Sequence, residues 1–327
     1  MKISLRHTVF SILVLYSGFS ITGQTDTSST KINLAYPVYS QYLHNGLLIN
    51  PAYAGSREVL SLFLSGRQQW AGIEGAPRLE TVSLHSLLKN DRVGLGLSGQ
   101  FYQYGDAQYG ISRLTSVYAN YAYHVRISKG KLSFGLKAGF DMSGTKYTND
   151  FRLTLTDPND PVFASNETYF LPNAGAGIYY YGKRIFIGAA IPGFLNYKRN
   201  SDSKLIFNAL SDFNVNVSAG ALITFTESFK FKPSLFIDYS VQQTKKMRID
   251  LNGNFIIHDM VWIGGSWRTL EEVAVGILQV QISPQIMFGY SYDYPVGRMN
   301  TYSKGSHEIV FRFEFSSKVN AANPRYF

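Results

Sequence analysis

The chain has no cysteine. That excludes a disulfide framework, a thiolate metal site and a lipid anchor attached through cysteine. Charge is also scarce: Asp, Glu, Lys and Arg make up 16% of the residues, where a soluble domain carries roughly 25%. No apolar run is long enough to be a membrane-spanning helix. Mean hydropathy is −0.08, close to neutral. The six histidines (His7, His44, His85, His124, His258 and His307) never fall at metal-ligand spacing, and neither HExxH nor GxSxG occurs. No metal site and no cofactor site is expected. The formal charge is +9, but the basic residues are scattered along the chain. Nucleic-acid binding needs a concentrated basic patch, so it is not expected.

What the chain does have is alternation. From Val59 to the C-terminus, segments such as Ile309-Val310-Phe311-Arg312-Phe313-Glu314-Phe315 put one apolar side chain at every second position. Successive side chains of a β-strand point to opposite faces, so each such segment has one apolar and one polar face. Other clear cases are Leu132/Phe134/Leu136/Ala138/Phe140 and Val215/Val217/Ala219/Ala221/Ile223/Phe225, whose interleaved partners are rich in Gly, Ser and Asn. Fourteen strand candidates fall near 57–66, 78–86, 92–101, 111–125, 131–142, 173–181, 184–191, 212–225, 229–242, 246–257, 260–268, 272–282, 285–294 and 306–315. In 272–282 the alternation changes phase near Ile277, which suggests a β-bulge.

Loop length supplies a second signal. Short connections follow even-numbered strands, and the long ones (Arg67–Pro77, Tyr102–Gly110, Ser143–Pro172, Pro192–Ser211 and Pro295–Gly305) follow odd-numbered strands. Outer-membrane barrels have this asymmetry, with short periplasmic turns, long outer loops and an even strand count. A soluble sandwich or propeller also alternates, but it has no reason to sort its loops by parity. The expected fold is all-β: a transmembrane antiparallel up-and-down barrel of about 14 strands, with an N-terminal periplasmic arm. The abundance of Tyr, 23 residues, suits aromatic girdles at the two membrane interfaces.

Three regions precede or form the barrel. Residues 1–23 carry Lys2, Arg6 and His7, the apolar stretch Val9–Tyr16 and then small residues to Gly23. This is the pattern of a secretory signal peptide cleaved near Gly23. Residues 24–56 do not alternate and read as an arm or possible plug. Residues 57–327 form the barrel, with a tail at 316–327. Fourteen strands enclose more space than their own side chains fill, yet less than an open porin. An arm folded into the periplasmic mouth, and the loop 143–172 folded over the outer one, would occlude it.

Several motifs have plain structural readings beside the functional ones. Gly94-Leu95-Gly96-Leu97-Ser98-Gly99 matches GxGxxG, but it lies inside an alternating strand with no following helix, so its glycines are read as thinning the inward face. His85 and His124 are the candidates for a strand-mounted Ser-His or Asp-His hydrolase, but hydrogen bonding in the lumen is the expected role. Opposite charges two apart share a face: Arg248 with Asp250, and Arg312 with Glu314, with Lys137 and Asp141 four apart on a third strand. They are expected as ion-pair ladders in the lumen.

Tyr39-Ser40-Gln41-Tyr42 followed by Leu48-Ile49-Asn50-Pro51-Ala52-Tyr53-Ala54-Gly55-Ser56 resembles the opening of the PorP/SprF family, outer-membrane proteins of Bacteroidetes associated with type IX secretion and gliding motility. Arg67-Gln68-Gln69-Trp70, Gly75-Ala76-Pro77-Arg78, Tyr118-Ala119-Asn120-Tyr121-Ala122-Tyr123 and the tail Asn323-Pro324-Arg325-Tyr326-Phe327 fit the same family. The resemblance implies a non-enzymatic barrel in the cell outer membrane, surrounded by its lipids. It also implies partners: the C-terminal domain of a secreted adhesin-like protein at the cell surface, and periplasmic or outer-membrane components of the secretion system. No catalytic residue carries over. Candidate partner-binding residues are Asn50, Pro51, Tyr53 and Gly55 in the arm and Arg67, Gln69 and Trp70 at the first outer loop. Turn chemistry alone also accounts for the Asn-Pro and Ala-Gly pairs. The alternative function is a channel for small or hydrophobic solutes with the arm as a movable plug.

Overall fold

The computed structural model of the chain describes residues 30–31, 38–88, 91–127, 129–148, 168–199, 205–209, 213–240 and 247–315. The expected signal peptide, most of the loop 143–172 and the tail 316–327 lie outside these residues.

Each alternating segment becomes a strand, because pairing with both neighbours satisfies its backbone while its two faces meet different surroundings. The wall consists of β1 (Leu60–Gln68), β2 (Arg78–Leu87), β3 (Val93–Tyr104), β4 (Gly110–Ile127), β5 (Gly130–Tyr147), β6 (Thr168–Gly182) and β7 (Ile185–Ile191). It continues with β8 (Asn214–Ala221, prolonged by Ile223–Thr226), β9 (Phe229–Ser240), β10 (Met247–Ile257), β11 (Val261–Arg268), β12 (Val273–Gln281), β13 (Ile286–Pro295) and β14 (Ser306–Phe315). Every strand pairs antiparallel with its sequence neighbours. β14 closes onto β1, with Glu308 opposite Arg67 and Phe315 opposite Leu60. The wall thereby closes on itself, as a bilayer requires.

Burial is inverted relative to a soluble protein. Leu136, Phe225, Leu251, Ile187 and Ile309 stand exposed on the outer face, while Ser133, Asn120, Asn254, Arg268, Asp293 and Glu308 are buried inside. In water that exposed apolar surface would drive aggregation. Facing hydrocarbon, it is the stable arrangement. On β14, Ile309, Phe311, Phe313 and Phe315 point outward, and Glu308, Arg312 and Glu314 are buried on the lumen side.

The bulge lies elsewhere than expected. β12 keeps an unbroken register with both neighbours. Val273, Val275 and Ile277 are simply apolar residues turned into the lumen, where they form a small cluster. The apparent phase change reflects what the lumen contains, not a backbone irregularity. The register slip is in β8, between Thr224 and Thr226, just after Leu222 turns inward.

The connections 88–92, 128–129, 183–184, 227–228, 258–260 and 282–285 lie at one end of the barrel. The strand ends that flank 69–77, 148–167, 192–213 and 296–305 all lie at the other. The expected long connection after β3 shrinks to 105–109 because both flanking strands run further than the alternation suggests. The long-loop end is the outer mouth by the rule for this class.

Candidate functional site

The sequence pattern places the arm at the periplasmic mouth. The structure instead runs its residues 38–56 through the lumen, from the short-turn end to the long-loop end. Arg57 and Glu58 hold the short-turn end, through Glu314 and Lys131. Ser40 lies near the long-loop end, among side chains from the outer ends of β1, β11, β13 and β14. Further out, Thr30–Lys31 adds to a hairpin of Leu195–Arg199 and Leu205–Ala209, beyond the end of β7. Between these points the chain makes three short turns of helix, at Tyr42–His44, Gly46–Ile49 and Pro51–Tyr53. Compact turns satisfy backbone groups locally where no sheet partner is at hand.

Three sets of contacts lock the arm. The first is ionic. Arg67 on β1 reaches Asp293 at 2.7 Å and Glu308 at 3.2 Å, and Arg268 reaches Asp293 at 3.1 Å and Asp250 at 3.5 Å. Ser40 sits among them. Its N–H donates to Glu308 at 2.8 Å, its hydroxyl donates to Asp293 at 2.7 Å, and it accepts from Arg67 and Arg268. Gln279 adds a bond to Gln41 at 2.9 Å. A cluster so buried is expensive to break, since removing one partner leaves charge unpaired out of water.

The second set grips the arm backbone. Asn50 Oδ1 accepts from the Ala52 N–H at 2.9 Å and caps the turn that Pro51 begins. Its amide Nδ2 donates to the Ile178 carbonyl of β6 at 3.0 Å. His85 Nδ1 accepts from the Gly55 N–H at 3.1 Å. His124 Nε2 lies 2.8 Å from the Ala54 carbonyl and its Nδ1 lies 3.2 Å from the Tyr181 hydroxyl. A carbonyl can only accept, so His124 carries its proton on Nε2 and accepts from Tyr181. The two histidines that are hydrolase candidates by residue type are thus both occupied in holding the arm.

The third set is steric. A Cβ on Gly94 would lie 2.0 Å from the Ala54 oxygen, on Gly135 2.1 Å from the Ala52 nitrogen, and on Gly177 2.2 Å from Asn50 Oδ1. These glycines, on β3, β5 and β6, form a bed into which the arm backbone settles. Gly94 opens the GxGxxG motif, so thinning the inward face has a specific beneficiary. Leu47, Ala52, Tyr53 and Ala54 pack there against Tyr179, Tyr181, Phe186 and Ile256. Tyr53 meets His85 and Tyr179 edge-on, at 5.4 and 5.5 Å.

Asn50, Pro51, Tyr53, Gly55 and Arg67 are therefore buried within the barrel, where the sequence suggested a partner-facing surface. Gln69 and Trp70 are half-buried in the first outer loop, where Trp70 N–H donates to Ser306 Oγ at 3.1 Å. The lumen charges also pair differently. Arg248 bonds Asp238 at 2.7 Å and lies 3.6 Å from Glu271, while Asp250 faces Arg268. Both closest partnerships are between residues directly opposite across adjacent strands. Opposed residues stand closer than residues two apart along one strand, which is why cross-strand pairing wins. Arg312 and Glu314 do meet, at 3.4 Å, with Arg57 joining them. Lys137 and Asp141 form no ion pair: Lys137 lies over the Tyr118 ring at 4.1 Å, and the Tyr118 hydroxyl donates to Asp141 at 2.7 Å.

On the long-loop side of the arm a cavity of about 90 Å³ remains, floored by Leu48 and Ile49 and walled by β3 to β10. Among the described residues no group of His, Asp and Glu is placed to hold a metal ion.

A closed wall with an apolar exterior and a polar, occupied interior defines a β-barrel protein of the outer membrane. The chain belongs to the PorP/SprF family, described as type IX secretion system membrane proteins, whose model matches residues 32–313. No curated protein matches the chain. Among solved structures, the Ralstonia pickettii toluene transporter TbuX is similar at 11% identity and a TM-score of 0.51, over 83% of this chain and 93% of that one. The CymD monoaromatic hydrocarbon channel is similar at 13% identity and a TM-score of 0.48, over 87% and 95% of the two chains. Omp33 of Acinetobacter baumannii matches at 7% identity and a TM-score of 0.44, over 79% and 99%. At 11% identity, the TbuX match shows a shared fold.

Proposed function

We propose that this barrel is a non-enzymatic, non-conducting docking subunit of the type IX secretion and gliding machinery. It supports export or surface attachment of adhesin-like secreted proteins, by receiving the C-terminal domain of such a protein and contacting periplasmic or outer-membrane components of the system. The observation that carries the reading is the arm, held in the lumen by a buried ion cluster, by Asn50 and two histidines, and by a bed of glycines. A barrel filled with its own chain is better suited to presenting surfaces than to passing solute. Gln69 and Trp70, at the outer mouth, are the candidate contacts for a partner.

The rival is a channel whose arm moves aside. It predicts uptake that depends on residues 24–56. The same clamps weigh against it, since moving the arm would break all of them together. A hydrolase centred on His85 or His124 would need ring nitrogens that the arm already engages.

Affinity purification from native outer membranes, with mass spectrometry of the co-purifying proteins, tests the proposal. A surface adhesin or a periplasmic secretion component should co-purify, and deletion of the gene should strip that adhesin from the cell. A barrel recovered alone, from cells that keep a normal surface protein complement when it is deleted, would overturn the reading.

A further inference from the structure

The cavity above the arm has the features of a binding site in its own right. Four charged side chains line it, and three of them hold a hydrogen bond or ion pair, although Asp238 Oδ1 has no partner of its own among the described residues. Arg248 and Asp238 bond each other, and Asp141 accepts from Tyr118. Lys137 is different. Its ammonium rests on the face of Tyr118, and among the described residues it makes no hydrogen bond and no ion pair. A cation–π contact leaves the donor protons of an ammonium free to bind an acceptor. Gln100 and Asn214 flank the same space with amide groups, and Leu48, Ile49, Leu114 and Phe236 give it an apolar side.

We infer that this cavity binds a carboxylate group carried on an apolar body about the size of one amino-acid residue, with Lys137 as its counter-ion. The reasoning has three parts. An ammonium that holds no hydrogen-bonded counter-ion among the described residues, in a lumen of low dielectric, favours a charged acceptor over a neutral one. The carboxylates of Asp141 and Asp238 in the same wall limit that preference to a single negative charge, which disfavours phosphate. The volume of about 90 Å³ has room for roughly six waters at about 15 Å³ each, which suits a residue-sized group. Two sources share this chemistry: a free apolar amino acid, whose ammonium would turn to Asp141, and the C-terminal residue of a polypeptide entering from the outer mouth. The inference does not depend on the secretion role and would survive its failure.

Ligand-observed NMR on the purified full-length barrel in detergent separates the cases, with leucine, N-acetyl-leucine and N-acetyl-leucinamide as probes. N-acetyl-leucine should bind about tenfold or more tightly than its neutral amide, as expected for a charge-assisted hydrogen bond. Lys137→Met should abolish that preference and Lys137→Arg should largely keep it, each in protein that still shows the heat-sensitive gel mobility of a folded barrel. Binding of leucine as well as of N-acetyl-leucine assigns the site to free amino acids, and binding of N-acetyl-leucine alone assigns it to a chain end. Equal binding of acid and amide, no binding of either, or an acid preference that survives Lys137→Met would overturn the inference.

Discussion

Replacing Gly94 by valine should loosen the arm while leaving the wall intact. A Cβ at this position lies 2.0 Å from the Ala54 oxygen and 2.9 Å from His124 Nε2, well inside the roughly 3.5 Å of a normal contact. The wall strand is pinned by its ladder, so the arm must give. Its movement breaks the bonds from His124 to Ala54 and from Gly55 to His85. Leaving those buried groups unpaired, together with the overpacking itself, costs about 3–9 kcal/mol. The native chain has no cysteine, so Ser56→Cys introduces a single reporter in the arm. Ser56 is buried and its hydroxyl has no hydrogen-bond partner, which makes the exchange nearly isosteric. Maleimide should label this cysteine slowly in the parent and at least about 100-fold faster with Gly94→Val, the factor matching the lower bound of the cost. Gly276→Val is the control, since a Cβ there meets nothing within 4 Å. If Gly94→Val and Gly276→Val label alike in folded protein, the glycine-bed argument is wrong.

Three more outcomes rest on the same geometry. Arg67→Ala should destabilise the barrel by about 3–5 kcal/mol, because it leaves Glu308 buried without a cation and Asp293 with Arg268 alone; the denaturant midpoint of the refolded protein reports this. Asn50→Ala removes the cap on Ala52 and the bond to Ile178 and should cost about 1–3 kcal/mol, read as faster labelling of the same Ser56→Cys reporter. Leu136→Arg, on the exposed face of β5, should cost about 2–4 kcal/mol in a bilayer if that residue sits near the midplane, measured by urea titration in vesicles.

Much of the wall was legible in the sequence. Fourteen alternating segments became fourteen strands, because alternation is a local property and lipid on one side enforces it everywhere. The outer ends of β3, β5 and β6 ran past the expected limits because above the membrane the outward face has no reason to stay apolar. Val273, Val275 and Ile277 misled for the converse reason, since a filled lumen has an apolar part of its own. The arm's course was not legible. Nothing in Asn50-Pro51-Ala52-Tyr53 distinguishes a turn outside the barrel from one inside it, and the decisive partners (Gly94, Gly135, Gly177, His85 and His124) are far away in sequence. The signal in the sequence is the set of inward glycines on β3, β5 and β6, which leaves a groove that something must fill. Arg312 and Glu314 meet along one strand as the spacing suggests, but Arg248 and Asp250 each pair across strands, because sequence spacing is visible and cross-strand register is not.

The central claim is that the lumen is occupied by the chain's own arm. Planar-bilayer recording of the purified wild-type barrel tests it most directly. The account predicts no steady conductance from the wild type, and channel opening once the arm is unseated by Gly94→Val. A large, stable conductance from the unmodified protein would contradict it.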